Sequence, residues 1–355
     1  MGLSIDRNIQ EIPFYPKAAK YGLDEGWARL ASNENPFPPS PKALSAILDA
    51  LLSVNRYPGN DLDLRTIISG KYGLKPENVV LGDGSDELIE IVLRAMKHRE
   101  RNRVIISEPS FAFYAIASKI YGYETVKVPV VDMKVDLLTL SRAVDERTRV
   151  IFLNNPLNPT GTIFENDPFR AFLEAIPSDI LVVVDEAYGE FAESRAFPGS
   201  YRYIDQFPVL TLRTFSKAYA LAGLRIGYGI GEVSLVSFLE RTKQPFSVNT
   251  AALVGAKEAM LDEEYLKKVL VNNQKGKKFL YNAFTQMSIE YVPTEANFIL
   301  FKVGKEAETL SRKLFDEKIL VRWMGAYGLP EYVRVSVGRA EENERFAEAL
   351  KKILQ

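Results

Sequence analysis

A lysine amine can bond reversibly to a carbonyl, and Lys217 stands in a setting suited to that chemistry. The run is Thr214-Phe-Ser216-Lys217-Ala-Tyr-Ala-Leu-Ala-Gly-Leu224, continuing into Arg225-Ile-Gly-Tyr228. Hydroxyl residues precede the lysine, a turn of small residues follows it, and an arginine comes next. Ser216 and Arg225 could grip a phosphate while Lys217 forms an imine with an aldehyde on the same molecule. Standing alone, the stretch reads equally well as a solvated Lys and Arg beside a strand, so partner residues elsewhere in the chain must decide.

What the chain lacks narrows the chemistry. It has no Cys, which removes disulfides, thiolate nucleophiles and Cys-ligated zinc. Its one histidine, His98, sits in the polar run Lys97-His-Arg-Glu-Arg101, which looks like a solvated helix end. A Ser-His-Asp triad on any other residue and a multi-histidine metal site are thereby excluded. Proton transfer falls to Lys, Tyr or a carboxylate, as expected where an organic cofactor carries the hard chemistry. With 355 residues, 46% hydrophobic and 26% charged, the chain can bury a large core, expected as two lobes. A net charge of -1 with no long basic run gives no electrostatic case for nucleic acid or membrane. The N-terminus carries no secretory pattern, position 6 is Asp6 where a myristoylation site wants Ser or Thr, and no apolar run approaches a bilayer span. A cytoplasmic protein with small-molecule partners is expected.

The elements that must position Lys217 follow from periodicity. Short β-branched runs at 79–81, 103–107, 125–128, 149–153, 180–184, 209–213 and 225–230 alternate with helical patterns, the signature of a parallel sheet covered by helices. Leu88, Ile91, Val92 and Ala95 follow helix spacing, as do Phe169, Phe172 and Leu173. Ile180-Leu-Val-Val-Val184 reads as a strand buried on both faces. After about residue 249 the pattern changes to a long Lys-rich helix at 263–284, a few short strands and an amphipathic 341–354. The expected division is an arm at 1–29, a large domain at 30–249 and a small α+β domain at 250–355.

Ligands in open sheets of this kind bind beyond the strand C-termini. After 79–81 comes Gly82-Asp-Gly84-Ser85-Asp86-Glu87, where glycines permit close backbone approach and free amides at a helix start favour an anion. Gly84, Ser85 and Asp86 are thus a candidate phosphate cradle. The run also reads as an ordinary capped helix, and its two acids would repel a phosphate unless they point away. It lacks the last glycine of the dinucleotide fingerprint. Phe111, after 103–107, could stack on a flat ring, although a core Phe is the commoner fate. Asn154-Asn-Pro-Leu-Asn158-Pro-Thr-Gly161 is a rigid turn able to hold an amide in one orientation, or a plain surface turn. Asp185-Glu-Ala-Tyr188 puts a carboxylate beyond an apolar strand, which is costly without a cation. A protonated pyridine nitrogen would serve, with Tyr188 near the same ring. The alternatives are a helix cap or a metal ligand, though no metal-ligand cluster is evident.

Cradle, ring, Asn, Asp, Lys and Arg occur in one order, each read as following a strand, and together they favour pyridoxal 5′-phosphate (PLP). The Lys217 run resembles that of fold-type I PLP aminotransferases. Phe14-Tyr15-Pro16, Leu30-Ala-Ser-Asn33-Glu-Asn35-Pro36, Tyr57-Pro58, Glu295-Ala-Asn297-Phe298 and Val333-Arg334-Val-Ser-Val-Gly338 are similar, in identity and order, to the histidinol-phosphate aminotransferase family. The resemblance covers nearly the whole chain. It implies a mainly parallel α/β sheet covered by helices, a smaller α+β C-terminal lobe and an N-terminal arm.

The same resemblance implies the roles. Lys217, Asp185 and Tyr188 are the expected catalytic set. Gly84, Ser85, Asp86, Phe111, Asn158, Thr214, Ser216 and Arg225 join them around PLP, with Asn158 on the ring hydroxyl oxygen. Tyr57 belongs in a neighbouring subunit's site, touching the cofactor phosphate, which implies a homodimer. Arg334 grips the substrate's anionic group, with Asn33, Asn35, Arg322 and Tyr15 on the substrate side. The implied reaction moves an amino group from L-histidinol phosphate to 2-oxoglutarate, giving imidazole acetol phosphate and L-glutamate in histidine biosynthesis. Two positions depart from the family pattern: Phe111 replaces the usual Tyr, and Leu157 stands where many relatives carry a polar residue. An aromatic-amino-acid aminotransferase and a threonine-phosphate decarboxylase share the core set. A PLP-binding regulator without turnover is disfavoured, since no DNA-binding domain precedes the motifs.

Overall fold

The computed structural model describes residues 7–12 and 26–355. Among them the strands run β1 (Ala28–Arg29), β2 (Val79–Gly82), β3 (Arg103–Glu108), β4 (Glu124–Pro129), β5 (Thr148–Asn154), β6 (Leu181–Asp185), β7 (Val209–Thr214), β8 (Gly227–Gly231), β9 (Tyr291–Val292), β10 (Phe298–Lys302), β11 (Ile319–Leu320), β12 (Arg322–Trp323) and β13 (Tyr332–Ser336). The segments expected as strands in the middle of the chain form one sheet in the order β2-β8-β7-β6-β5-β3-β4. Every pairing in it is parallel except those of β8. That last strand begins at Gly227 rather than at 225, because Arg225 has a φ of 53° and left-handed backbone cannot extend a strand. Reversal of β8 sets Gly227 beside both Thr214 and Gly82. Arg225 therefore precedes its strand, yet arrives at the same sheet edge as the residues that follow the parallel strands.

Alternation along buried strands builds two apolar layers. In β6, Leu181 and Val183 enter one layer with Val104, Ile106, Val150 and Phe152, whereas Val182 and Val184 enter the other with Ile105, Ile151 and Leu153. Helix Gly84–Ala95 covers the first through Leu88, Ile91 and Val92, and helix Asn166–Ala175 covers the second through Phe169, Phe172 and Leu173. His98 lies exposed just past the Gly84–Ala95 helix, its Nδ1 accepting from the backbone N–H groups of Glu100 and Arg101 at 3.2 Å.

Downstream, helix Thr250–Leu261 packs Ala252, Ala256 and Ala259 into the large core, against helix Pro41–Ala50. Helix Glu263–Gln286 joins the lobes: Tyr265 and Val269 lie in the large core, Leu280 and Phe284 in the small one. The small sheet is antiparallel, in the order β12-β13-β10-β9. Because β1 pairs in parallel with β11, Ala28 and Leu30 pack in the small-lobe core, and residues 31–36 then cross toward the large sheet. Tyr15 lies outside the described residues.

Phe284 is fully buried, with its ring 4.9 Å from Phe301 and edge-on to Phe346. Replacement Phe284→Ala is expected to cost about 3–5 kcal/mol. Urea unfolding followed by circular dichroism should show a lowered midpoint, with a smaller loss for Phe284→Leu; an unchanged midpoint for the alanine variant would contradict this packing.

Candidate active site

The C-terminal ends of β5, β6 and β7, the start of helix Gly84–Ala95 and the β12–β13 pair surround a cavity of about 410 Å³. Lys217 lies just beyond β7, its Nζ donating to the Ser32 carbonyl at 3.0 Å and standing 5.9 Å from the Tyr188 ring centre. Burial, and then the guanidinium of Arg334, bring its pKa down to about 8, although Glu34 and Asp86 push the other way. Lowering the pKa makes the neutral, nucleophilic amine available much nearer to neutrality.

One end of the cavity suits a phosphate. Arg225 reaches Ser216 Oγ at 3.5 Å, the Ala222 carbonyl at 3.2 Å and Asp86 at 3.3 Å. Gly84 opens its helix with a φ of 77°, and a Cβ there would sit 2.5 Å from Arg225 Nη2. The guanidinium and the helix-start amides therefore share a space that a side chain at 84 would fill. Thr214 Oγ1 accepts the Ser216 N–H at 3.1 Å and fixes the turn.

The opposite end calls for a cation. Asp185 is 3% exposed; it accepts the Tyr114 hydroxyl at 2.7 Å and the Ala187 N–H at 3.0 Å. Burial raises its pKa to about 6 despite those bonds, and the charged groups acting on it, Asp86 and Glu186, are themselves acids. A flat ligand carrying a ring N–H⁺ here would supply the cation that Asp185 lacks, and a phosphate near Arg225 would share that guanidinium with Asp86, which does not point away from the cavity. Phe111 lies at the same cavity, edge-on to Tyr114. The Tyr188 hydroxyl accepts from Asn33 Nδ2 at 2.9 Å and lies 3.5 Å from Asn158 Nδ2, and burial holds its pKa up at about 12.

Above this floor stand two guanidiniums. Arg322 and Arg334 are direct cross-strand partners on β12 and β13, and both line the cavity. Arg334 is 3% exposed, donates to Asn158 Oδ1 and, at 2.9 Å, to the Ala31 carbonyl, and lies over the Phe298 ring. Like charges set opposite each other across a ladder are destabilising unless an anion lies between them. The pair lines the same cavity as Lys217, so it brings two positive charges to that space.

Residues 25–350 match the family described as aminotransferase class I and II. The chain belongs to that family. Among curated relatives, histidinol-phosphate aminotransferase 2 of Pseudomonas fluorescens is 40% identical over 92% of this chain and 88% of its own length. Histidinol-phosphate aminotransferase 1 of Nitrosococcus oceani is likewise 40% identical, over 95% and 91%. A solved structure of histidinol-phosphate aminotransferase from Sinorhizobium meliloti, in complex with pyridoxal-5'-phosphate, superposes with a TM-score of 0.88 at 28% identity, covering 98% of each chain.

Within this aminotransferase, Ser85, Asp86, Phe111, Asn158, Asp185, Tyr188, Thr214, Ser216, Lys217, Arg225, Asn33, Arg322 and Arg334 meet at one cavity, with Gly84 against Arg225. Tyr57 does not line it: 80% exposed, it stacks on Phe246. Asn35 lies beneath Lys217, its amide donating to the carbonyls of Lys217 and Ala218 at 3.1 and 3.0 Å. Sequence reasoning missed Tyr114 and Asn154. The latter donates to the Asp185 carbonyl at 2.9 Å and accepts the Asn158 N–H at 2.7 Å, so the first Asn of the turn aims the second.

Capture of a phosphorylated aromatic aldehyde by cofactor-stripped protein, trapped with borohydride and mapped to Lys217, should rise with pH and level off above about 8, because the neutral amine is the attacking form. A midpoint near the ordinary lysine value of about 10.4 would contradict the burial argument.

Proposed function

We propose that this protein catalyses the PLP-dependent transfer of the amino group of L-histidinol phosphate to 2-oxoglutarate, yielding imidazole acetol phosphate and L-glutamate, within histidine biosynthesis in the cytoplasm. The observation that supports the reading is the cross-strand pair Arg322 and Arg334 lining the same cavity as Lys217, in a chain whose relatives bear that activity in their names. PLP, when bound, supplies the electron sink that makes an amino-bearing C–H bond acidic. Arg225, Ser216 and the amides at Gly84–Asp86 would hold its phosphate, Asp185 its ring nitrogen, Asn158 and Tyr188 its ring oxygen, and Phe111 one face.

Lys217 Nζ, with a pKa brought down to about 8 and so neutral in a substantial fraction near that pH, is the base that removes the substrate's proton and returns it. Arg334 and Arg322 bind the phosphate of one substrate and a carboxylate of the other in turn, which fits a ping-pong cycle. Asn33 and Arg334, tied to Tyr188 and Asn158, keep the substrate side in register with the cofactor side. Residues 30–249 form the cofactor lobe and 250–355 the substrate lobe, with Thr250–Leu261 packed back onto the former.

A second copy of the chain completes the enzyme in this reading. Tyr57 sits among exposed apolar side chains, with Leu52 at 88%, Val54 at 63% and Phe246 at 60% exposure, a patch suited to burial in a homodimer. Its place is then the neighbouring site. No helix among the described residues is long and apolar enough to cross a membrane.

With 2-oxoglutarate as acceptor, histidinol phosphate should give the highest kcat/KM among histidinol phosphate, histidinol, phenylalanine, tyrosine and threonine phosphate. Arg334→Lys should lower kcat/KM for both histidinol phosphate and glutamate by roughly tenfold or more, since one charge-assisted bond is worth about 1.5–3 kcal/mol. Better turnover of phenylalanine or tyrosine would replace this assignment with an aromatic aminotransferase. Carbon dioxide release from threonine phosphate would point to the decarboxylase.

A further inference from the structure

Behind the cavity, on the far side of β6 and β7, lies a buried charge cluster that the reaction does not use. Arg213, 6% exposed, donates from Nη2 to Glu186 Oε2 at 2.6 Å and from Nη1 to Glu190 Oε1 at 3.1 Å. Both carboxylates are buried, with side-chain exposures of 0% and 5%. The other Glu186 oxygen accepts the Ser200 N–H at 2.6 Å. The guanidinium lies flat against Gly189, where a Cβ would stand 2.5 Å from Nη1. Lys71, donating to the Tyr219 hydroxyl at 2.8 Å, adds a second cation to the same region and ties down the segment just after Lys217.

Buried ion pairs gain little stability over apolar residues of the same volume, because desolvation offsets the Coulomb attraction. A bidentate fork does supply fixed geometry between the two segments it joins. Here one segment is the turn 186–190. It follows Asp185 directly, provides the Ala187 N–H that holds the Asp185 carboxylate, and carries Tyr188. The other is the end of β7, where Arg213 immediately precedes Thr214, the residue whose hydroxyl fixes the Ser216 turn before Lys217. We propose that Arg213, clamped between Glu186 and Glu190, is a positioning residue that sets the separation between the turn bearing Asp185 and Tyr188 and the strand end bearing Lys217. The proposal rests on the roles given above to Lys217 and Asp185.

The test compares wild type, Arg213→Lys and Glu190→Gln as full-length PLP-loaded proteins. Four quantities are read: kcat, KM for glutamate, thermal midpoint, and the pH midpoint of Lys217 labelling after cofactor removal. Lysine keeps the charge but cannot span both carboxylates, so kcat should fall about tenfold or more while KM stays within about twofold, as misplacement by a fraction of an ångström would produce. The Lys217 midpoint should rise from about 8 toward the ordinary lysine value as the loosened floor admits water. Glu190→Gln keeps an acceptor at the same place and should shift kcat and midpoint less, in the same direction. A lower thermal midpoint in both variants with kcat and the Lys217 midpoint unchanged would overturn the proposal and leave the clamp purely structural. Should Arg213→Lys fail to fold, Glu190→Gln decides alone by the same two quantities. Absence of label on Lys217 in wild type would sink the functional reading itself, an outcome distinct from failure of the clamp.

Discussion

The site is organised around a carboxylate that protein folding alone leaves in an unfavourable place. Asp185 ends a wholly buried strand of otherwise apolar residues, and has two hydrogen-bond donors but only acids among the charged groups that act on it most. Such a group is tolerated where a ligand brings the missing cation. Much of the surrounding architecture keeps it there. Tyr114, stacked on Phe152 in the apolar layer, delivers its hydroxyl to one oxygen; the turn after β6 delivers the Ala187 N–H to the other; and Asn154 ties the adjacent strand to the Asp185 carbonyl.

The Arg225 side of the cavity is assembled from β2, β7 and the reversed β8, and Asp185 is supplied by β6. Lys217 lies between them, beneath the small-lobe arginines. The field of the Arg334 guanidinium helps depress the lysine's pKa. An anion bound at Arg334 would partly cancel that field and raise the basicity of Lys217. The segment 31–36 is the hinge of this arrangement in chain terms, since Ala31, Ser32, Asn33 and Asn35 hold Arg334, Lys217 Nζ, Tyr188 and the Lys217 backbone respectively.

Much of this was legible in the residue pattern because the determinants are local. β-branched runs marked the strands of the large sheet other than the glycine-rich β8, and the Asn158, Asp185 and Lys217 signatures each begin at or just past the end of one. Arg225 was expected to open a strand at 225–230 and instead lies just before β8, because its left-handed backbone cannot extend a strand; the antiparallel pairing of β8 with β2 and β7 is a distant contact that no local pattern encodes. Tyr114 was invisible for another reason. Three residues after Phe111 on a helix, it has the spacing of a core aromatic and is one, apart from its hydroxyl. Asn154 and Asn35 were read as turn and substrate residues, but their amides serve backbone carbonyls, a choice fixed only by what the fold places opposite them. The helix at 250 packs onto the large layer because its alanine face fits Pro41–Ala50, a contact between segments far apart in sequence.

Asp185 is either the partner of a ring cation or a structural acid, and the site's chemistry requires the first. The decisive measurement is single-turnover kinetics of Asp185→Asn reconstituted with PLP, alongside its cofactor content. An amide of the same shape should retain cofactor on Lys217 but fail to hold the ring nitrogen protonated, lowering the rate about a hundredfold or more, equivalent to about 3 kcal/mol in the barrier. Full cofactor occupancy with a rate near that of wild type would contradict the central claim.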